Sequence, residues 1–258
     1  MSRVIIFLLL VFFLVASCKN SQQEEKNTEP VKDIVVAEPD TVTATILFVG
    51  DFMQHSGQYK AALACGGGER YDYEETFKLV NPKLRAATVA IGNFETTLGG
   101  EPYYGFPCFC APDEFLYAIK DAGFDVLTTA NNHCCDRRAK GLERTLKVLK
   151  EAGIQSCGTY ADSLDRSERY PLVFDADGIK VCLLAYTFGT NGIRVVKPNI
   201  VNFIDKEVMA EDIKAAKSMN PDVIIASMHW GVEYVDTEDS KQRELAKWLI
   251  DQGVDHVI

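Results

Sequence analysis

The chain has 258 residues, of which 47% are hydrophobic and 25% are charged. This composition is ordinary for a globular protein. The formal net charge of −10 argues against passive binding of nucleic acid or any other polyanion. An anionic polymer could be a substrate only where a bound cation supplied the attraction locally.

The first 17 residues have the pattern of a secretory signal peptide. Arg3 precedes an apolar run over residues 4–15, and small residues follow before Cys18. That is the order of a charged region, an apolar region and a cleavage site. The apolar run is shorter than the about 20 residues that span a bilayer. Residues 1–17 are therefore predicted to be a signal peptide.

The tetrad Val15-Ala16-Ser17-Cys18 resembles the lipobox of bacterial lipoproteins. The resemblance implies that Cys18 becomes the lipidated first residue of the mature chain. The protein would then be extracytoplasmic and anchored through this lipid to a membrane of the bacterial cell envelope, facing the periplasm or the cell surface. The alternative is a plain signal peptide with an incidental cysteine.

Residues 18–41 are largely polar. Such a segment cannot bury enough surface to offset its ordering entropy, so it is predicted to be a disordered tether. Residues 42–258 are long enough for one sizeable α/β domain.

Short apolar runs alternate with amphipathic stretches through this domain. Strands are predicted at residues 46–49, 89–91, 124–127 and 223–226. Strands separated by helices imply a mainly parallel sheet. The helical repeats each end before a glycine suited to a C-cap: Phe115 and Ile119 before Gly123, Leu142, Leu146 and Leu149 before Gly153, and Leu245, Trp248 and Leu249 before Gly253.

The pattern changes between Leu172 and Phe188. Two strand-like runs there flank Asp175-Ala176-Asp177-Gly178, which is typical of a hairpin. The sheet is therefore predicted to be mixed, with a hairpin inserted partway.

Polar residues suited to metal binding follow four of the predicted strands. In open α/β sheets, ligands bind beyond the carboxyl ends of the strands, so we expect these residues to converge on one edge. Carboxylate, amide and imidazole ligands together favour Zn, Mn or Fe over Mg or Ca. In chain order, the candidates are Asp51, Asn93 with Glu95, Asn132 with His133, and His229.

Each candidate also has a purely structural explanation. Asp51 could cap the following segment, Glu95 could be a solvated acid, and Asn132 could satisfy backbone groups in a turn. His229, beside Trp230, could be a packed and hydrogen-bonded histidine. The recurrence at four successive strand ends favours a shared site.

Four segments resemble the successive signatures of the CapA (poly-gamma-glutamate biosynthesis) family of the calcineurin-like metallophosphatase superfamily. They occur in the family's order and at similar spacing, and they cover nearly the whole of residues 42–258. The resemblance implies an α/β fold of two mixed β-sheets flanked by helices. The segments are Phe48-Val49-Gly50-Asp51, Gly92-Asn93-Phe94-Glu95, Ala130-Asn131-Asn132-His133 with Asp136, Gly141 and Leu142, and His229-Trp230-Gly231-Val232-Glu233.

The resemblance also implies metal ligands. Asp51 and His229 match metal-binding positions, and Asn132 matches a metal-binding asparagine. Asn93 with Glu95 falls where the superfamily has an aspartate that bridges two metals. The implied cofactor is a divalent metal, Mn, Zn or Fe, as one or two ions.

Three further residues are expected to assist the reaction. His133 matches the histidine that faces the leaving group, and Asp136 could orient it as a general acid. Glu233 could orient His229 from behind the metal.

Three features depart from the superfamily pattern. Met53 stands where the superfamily has a metal-binding histidine, and His55 is out of register, so we expect neither to be a ligand. Asn93 replaces the bridging aspartate, which argues against a tightly held dinuclear centre. The chain ends at Ile258, just after a strand that the family follows with a Gly-His-x-x-His segment. We interpret the sequence as a partial chain; the alternative is that those ligands have been lost.

The chain has eight cysteines, and lipidation of Cys18 would leave an odd number, so at least one thiol would be free or would pair with another chain. Cys182, in an apolar strand, is predicted to be a small core residue. Cys134 and Cys135 could be thiolate ligands, which would favour zinc. We favour the alternative that they are small residues at variable positions, because adjacent cysteines rarely both reach one ion.

The hypothesis is a metal-dependent hydrolase or transferase acting on an ester or amide bond outside the cytoplasm. The family resemblance suggests a role in making, exporting or trimming an anionic surface polymer such as poly-gamma-glutamate. One alternative is a non-catalytic partner of a membrane-bound polymer synthase, which Met53 and Asn93 favour and His133 and Asp136 oppose. The other is a metal-dependent phosphoesterase unrelated to capsule production.

Overall fold

The computed structural model describes residues 41–258. The predicted signal peptide, Cys18 and all but the last residue of the predicted tether lie outside the described residues. Within residues 41–258, no helix is both long enough and apolar enough to cross a bilayer.

The described part of the chain forms ten strands and eight helices. In chain order they are β1 (Ile46–Asp51), α1 (Ser56–Cys65), α2 (Glu74–Phe77), α3 (Asn81–Leu84), β2 (Val89–Asn93), α4 (Asp113–Ala122), β3 (Val126–Thr128), α5 (Arg138–Ala152), β4 (Gln155–Cys157), β5 (Thr159–Tyr160), α6 (Ser163–Arg169), β6 (Leu172–Ala176), β7 (Ile179–Thr187), β8 (Ile200–Val201), α7 (Lys206–Ser218), β9 (Val223–His229), α8 (Ser240–Asp251) and β10 (His256–Val257).

The strands of residues 41–258 form two four-stranded sheets and one two-stranded sheet. The first sheet has the order β1-β2-β3-β4 and is parallel throughout. The second has the order β10-β9-β7-β6, in which only β6 is antiparallel to its neighbour. The predicted α/β fold of two sheets flanked by helices is confirmed, and its mixed character lies in the second sheet.

The predicted hairpin is the β6–β7 pair. Its turn residues Asp177 and Gly178 both have positive φ, at 52° and 88°. Type I′ turns require this conformation at both central positions, and the sequence Asp-Gly adopts it readily. The turn chemistry therefore fixes the register of the only antiparallel pair in the second sheet of the described chain.

Strand β2 joins the two apolar clusters of the domain. Its side chains alternate with a period of two, so Val89 and Ile91 pack in the cluster that contains Leu183 of the second sheet. Ala90 lies in the other cluster, with Phe115 and the apolar faces of α4 and α5. One core thus holds the sheets together, and a second core holds the helices against the first sheet.

The helix ends follow the glycine pattern in the sequence. Gly123 and Gly153 end α4 and α5 in the left-handed conformation, with φ of 113° and 69°. A residue with a Cβ is strained there, whereas glycine is not. Each helix therefore ends just before the next strand, α4 before β3 and α5 before β4.

Parallel pairing brings several polar residues to one edge. Asp51 is in register with Asn93, and Asn93 with Thr128, in the first sheet. In the second sheet, Thr187 is in register with His229. The carboxyl ends of β1, β2, β3, β7 and β9 therefore surround one region, as expected for an α/β ligand site.

Gly92, directly before Asn93, provides a test of how this edge is packed. A Cβ there would lie 2.2 Å from the Phe52 ring, so Gly92→Ala forces the ring or β2 to move. We expect the free energy of unfolding to fall by about 1–3 kcal/mol, the usual effect of overpacking, measured by urea denaturation.

Gly50→Ala is the matched control, because Gly50 directly precedes Asp51 in β1 and no atom lies within 4 Å of a Cβ at that position. Its free energy of unfolding should stay within about 0.5 kcal/mol of the parent. Equal losses in both variants would contradict the packing explanation.

Candidate metal centre

Three potential metal ligands meet at the carboxyl edge. Asp51 ends β1, Glu95 lies two residues beyond β2, and His229 ends β9. One ligand atom from each lies within 4.8 Å of the others. Since the three lie at or just beyond the ends of different strands, the parallel sheets rather than local sequence bring them together.

His229 lies at the middle of this group. Its Nε2 is 2.6 Å from the Asn132 Oδ1 and 3.8 Å from the Glu95 Oε1. Its Nδ1 is 3.2 Å from the Asn93 Nδ2 and 3.9 Å from the Asp51 Oδ1. Burial lowers the pKa of His229, and the carboxylate of Asp51 partly opposes this effect. A neutral imidazole is the form that binds metals.

Glu95 is the most buried acid of the group. It is only 4% exposed, and its Oε2 has no hydrogen-bond partner among the described residues. Burial, together with the negative charge of Asp51, raises the pKa of Glu95 to about 9. A buried carboxyl beside a second carboxyl is costly to ionise unless a positive charge compensates it.

These residues fit a divalent cation. The unpartnered Oε2 of Glu95 and the partly exposed carboxylate of Asp51 offer oxygen ligands. The His229 Nε2 and the Asn132 Oδ1 form a hydrogen bond with each other at 2.6 Å, and they would add a nitrogen and an oxygen ligand where a cation displaced the hydrogen between them. A mixed oxygen and nitrogen set of this kind suits Zn, Mn or Fe.

Asn93 lies in the same region but presents its amide nitrogen. The Nδ2 donates to the Asp51 Oδ1 at 2.7 Å. The Oδ1 instead accepts from Thr128 Oγ1 and Asn131 Nδ2, at 3.2 and 3.1 Å. The predicted ligand role of Asn93 would require the opposite orientation, because only the amide oxygen has lone pairs for a metal.

His133 and Asp136 form a buried pair beside the metal ligands. The His133 Nδ1 is 2.7 Å from the Asp136 Oδ2, which also accepts the Phe109 backbone N–H at 2.6 Å. The ring of Phe109 meets that of His133 edge-on, with centroids 4.6 Å apart. The Nε2 faces the site, 3.9 Å from the Glu95 Oε1. The pair thus presents one imidazole nitrogen of fixed orientation to the metal ligands.

Two asparagines at the site have roles that sequence reasoning did not assign. Asn131 is fully buried and links Asn93, the Phe94 carbonyl and the His133 backbone N–H. Its place in the Ala-Asn-Asn-His motif was the available signal. Asn191 follows β7, and its side chain lies 3.5 Å from the His133 Nε2 and 3.3 Å from the Asn132 Nδ2. No sequence pattern marks Asn191.

Three other residues singled out in the sequence are not among the potential metal ligands. Within residues 41–258, no hydrogen bond or ion pair joins Glu233 to His229, and Glu233 interacts with the Tyr234 hydroxyl instead. His55 is exposed and caps α1. Met53 is close in sequence but offers no ligand of the predicted kind. The orienting role of Glu233 remains a prediction that the hydrogen bonds do not support.

The cysteines of the described residues are all free thiols. Cys134 and Cys135 are buried in a small apolar cluster with Leu142 and Val201. Their sulfurs are 3.8 Å apart, and neither belongs to the group of potential metal ligands. Cys182 is a core residue at 0% exposure.

The fold and these residues define a class: an α/β sandwich with a candidate divalent-metal centre at the carboxyl edge of its parallel strands. Residues 45–258 match the model of the family described as bacterial capsule synthesis protein PGA_cap. The chain belongs to this family, as the four sequence segments predicted.

Several relatives carry names from surface-polymer synthesis. Capsule biosynthesis protein CapA of Bacillus anthracis is 28% identical over 98% of this chain and 62% of its own length. PGA biosynthesis protein CapA of Bacillus subtilis is 27% identical over 82% of this chain and 55% of its own. A probable polyglutamine synthesis accessory protein of Mycobacterium tuberculosis is 28% identical over 67% and 49%. The chain thus spans less than two thirds of the length of each of these relatives.

One solved structure is similar in part. The NAD nucleotidase NadN of Haemophilus influenzae aligns with a TM-score of 0.49 and 18% identity, over 79% of this chain and 40% of that chain.

Metal binding at Glu95 can be tested through thermal stability. At a concentration about 100 times its Kd, a ligand stabilises the folded state by about 2.7 kcal/mol, which corresponds to a rise in Tm of about 5–10 °C for a domain of this size. We expect Mn²⁺ to raise the Tm of the parent by this order and to leave that of Glu95→Gln nearly unchanged.

Glu244→Gln is the control, since it removes the same charge from an exposed side chain of α8, away from the metal ligands. It should keep the full Mn²⁺ shift. An undiminished shift in Glu95→Gln would show that the cation binds elsewhere.

Proposed function

We propose that this domain is a metal-dependent hydrolase or transferase that acts, outside the cytoplasm, on an ester or amide bond of an anionic surface polymer of the poly-gamma-glutamate type. One observation carries the proposal. The ligand atoms of Asp51, Glu95 and His229 lie within 4.8 Å of one another. The His133 Nε2 is 3.9 Å from the Glu95 Oε1.

The acidic chain needs a local positive charge to bind an anionic substrate. Asp51, Glu95, His229 and the Asn132 oxygen would hold the cation. When bound there, a divalent cation supplies that charge and polarises a phosphoryl or carbonyl oxygen of the substrate.

His133 is the residue placed to move a proton. Asp136 accepts from its Nδ1, which fixes the ring and stabilises the imidazolium. In the imidazolium form, the Nε2–H bond would point towards the region of the metal ligands, where a leaving group would depart. A histidine in this position serves as a general acid.

Asn191 and Phe109 limit how water reaches His133. Phe109 covers one edge of the imidazole, and the Asn191 amide faces Nε2 at 3.5 Å. His133 is only 6% exposed. A substrate that displaced the Asn191 side chain would therefore meet Nε2 in a region with little bulk water.

The proposed location outside the cytoplasm rests on residues that lie outside the described part of the chain. The proposal includes export through the predicted signal peptide and anchoring through Cys18. The names of the relatives support a role in capsule or polyglutamate synthesis, beside a membrane-bound polymer synthase.

A second candidate is a non-catalytic partner of that synthase. It is favoured by Asn93, whose amide nitrogen rather than a carboxylate faces Asp51, and by the name "accessory protein" of the mycobacterial relative. On this alternative the centre would be structural, and the His133–Asp136 pair would not turn over a substrate.

Turnover by His133 variants separates these candidates. We expect the Mn²⁺-loaded parent to cleave a poly-gamma-glutamate chain of defined length, followed by mass spectrometry. We expect His133→Asn to slow cleavage by about 10²–10⁴-fold, the usual contribution of a general acid, with Mn²⁺ affinity retained. His256→Asn, at an exposed histidine in β10, should keep the parent rate.

The alternatives give different results. Cleavage of bis-p-nitrophenyl phosphate but not of poly-gamma-glutamate would indicate a phosphoesterase unrelated to capsule. No cleavage of either substrate, with normal surface polymer in a His133→Asn strain and none in a deletion strain, would support the non-catalytic partner.

A further inference from the structure

We infer that three arginines beside the His133–Asp136 dyad bind the carboxylates of an anionic polymer, with Arg137 as the main anchor. The inference rests on the proposed function for the identity of the polymer, and it adds the side chains that hold that polymer. It depends on where the arginines that lack an acceptor lie.

Most arginines of residues 41–258 donate a side-chain hydrogen bond to a carboxylate or a backbone carbonyl. These are Arg70, Arg85, Arg144, Arg166, Arg169 and Arg243. Within the described residues, Arg137, Arg138 and Arg194 make no side-chain hydrogen bond and no ion pair. The chain has 37 acidic and 27 basic residues, so a shortage of acids does not explain their lack of partners.

Arg137 comes directly after Asp136, and its stem lies in a space that two glycines leave open. A Cβ at Gly141 would lie 2.2 Å from the Arg137 Cβ, and a Cβ at Gly99 would lie 2.9 Å from the Arg137 Cγ. Gly141 is inside α5, where glycine is less stable than alanine. The fold therefore accepts an unfavourable helix residue at the position that makes room for Arg137.

The guanidinium of Arg137 lies over the ring of Tyr104, with its central carbon 4.7 Å from the ring centroid. This cation–π contact orients the group and leaves its N–H donors without an acceptor. Arg137 is half-buried, and a partly desolvated cation that lacks a partner is costly. A carboxylate matches a guanidinium with two parallel hydrogen bonds. The position therefore suits a carboxylate that arrives with a ligand.

Tyr104 places this guanidinium near the dyad. It pairs with Cys110, the residue after Phe109. The Phe109 ring meets that of His133, with centroids 4.6 Å apart. Arg137 therefore lies on the Phe109 side of the general acid.

Arg194 belongs to the loop between β7 and β8, which borders the dyad from another direction. Asn191 of this loop faces the His133 Nε2 at 3.5 Å. Both sequence neighbours of Arg194 pack against the apolar cluster of Cys134 and Cys135, which lie between the two dyad residues in the chain. The Arg194 side chain itself is exposed, so it is accessible to a ligand at the dyad.

The surroundings of these arginines are cationic. Residues 130–143 and 188–204 contain five cationic side chains and two acidic ones. Of the two acids, Asp136 is buried in the dyad, and Glu143 accepts a hydrogen bond from Asn199. Side chains therefore attract a polyanion to this part of the site, although the chain as a whole is acidic.

A polymer of γ-linked glutamate fits this arrangement. Each repeat unit carries one free carboxylate, so neighbouring units can reach different arginines while an amide bond between them lies at His133. The ring of Phe106 is 72% exposed and lies beside that of Phe109. It offers an apolar surface to the methylene groups of the polymer.

Binding of a fluorescently labelled γ-glutamate oligomer, followed by anisotropy at low salt, tests the inference. We expect Arg137→Gln to weaken binding by about 10-fold, and the triple variant with Arg138→Gln and Arg194→Gln to weaken it by about 100-fold. The ratio between parent and variant should be the same with and without Mn²⁺, because the arginines are not metal ligands. Binding by the parent should weaken as salt is added.

A second triple variant is the matched control, since it removes the same charge from exposed lysines in the last turns of helices that precede strands, at the opposite edge of the sheets. It consists of Lys83→Gln, Lys150→Gln and Lys217→Gln. It should bind the oligomer within about twofold of the parent, because charges at that distance are screened. Arg137→Lys keeps the charge without the paired hydrogen bonds, so its affinity should lie between those of the parent and Arg137→Gln.

Cleavage kinetics separate these arginines from the catalytic residue. They contact units of the polymer away from the reacting bond, so the arginine variants should raise KM with kcat nearly unchanged. His133→Asn should instead lower kcat. The Mn²⁺-induced rise in Tm should persist in every arginine variant, which establishes that each is folded. If Arg137→Gln does not fold, the double variant of the exposed Arg138 and Arg194 still tests the inference.

Each result has a separate meaning. Parent-like binding by the folded arginine triple variant would overturn the inference, and continued cleavage by that variant would leave the proposed function standing. Arginine-dependent binding without any cleavage would support the inference and overturn the proposed catalysis. Tighter arginine-dependent binding of inorganic polyphosphate than of the glutamate oligomer would overturn the assignment to a polymer of carboxylates.

Discussion

Two carboxyl groups, one exposed and one buried, lie side by side at the end of parallel strands. Asp51 is fixed by β1, and Glu95 is fixed by the turn that follows β2. Burial of Glu95, followed by the negative charge of Asp51, raises the pKa of Glu95 to about 9. One oxygen of this carboxyl group, Oε2, has no hydrogen-bond partner among the described residues. The surrounding histidine and amides are arranged around this concentration of negative charge.

The neutral amides around these carboxyls determine the electrostatics of the site as much as the acids do. Asn93 donates to Asp51, whereas Asn132 directs its oxygen to His229. Asn131, between them, holds Asn93 in place. An amide offers an oxygen at one end and N–H groups at the other, so its orientation decides whether it can bind a cation.

The dyad of His133 and Asp136 is built into a different part of the fold. Asp136 is held by the Phe109 backbone, from the segment before α4, and lies three residues after His133. Asn131 connects the dyad to the strand ends, because it binds both Asn93 and the His133 backbone N–H.

Much of the site could be predicted from the sequence because its residues directly follow apolar strands. Asp51 and His229 are the last residues of β1 and β9, so the strand pattern alone located them. The direction of the Asn93 amide was not readable, since it depends on partners from β3 and the loop after it. Asn191 was missed because only the tertiary fold brings the turn after β7 to His133. Glu233 was assigned a role from its spacing to His229, but among the described residues no hydrogen bond or ion pair joins Glu233 to that ring.

The fold was predictable to a similar depth. Strand and helix alternation predicted a mainly parallel sheet, and the Asp-Gly turn predicted the hairpin, since each rests on local pattern. The division into two sheets was implied only by the family resemblance. The sequence did not predict which strands pair in the antiparallel direction, because periodicity does not say which strands become neighbours. In the described residues, the first sheet is parallel throughout, and only β6 makes the second sheet mixed.

The most direct test of the central claim is an anomalous-difference map from crystals of residues 42–258 grown with Mn²⁺, recorded at the manganese absorption edge. We expect a peak at bonding distance from Asp51, Glu95 and His229, with the Asn132 oxygen beside it. The absence of a peak there at saturating Mn²⁺, or ordered manganese bound only elsewhere on the domain, would contradict the assignment of this strand edge as a metal centre.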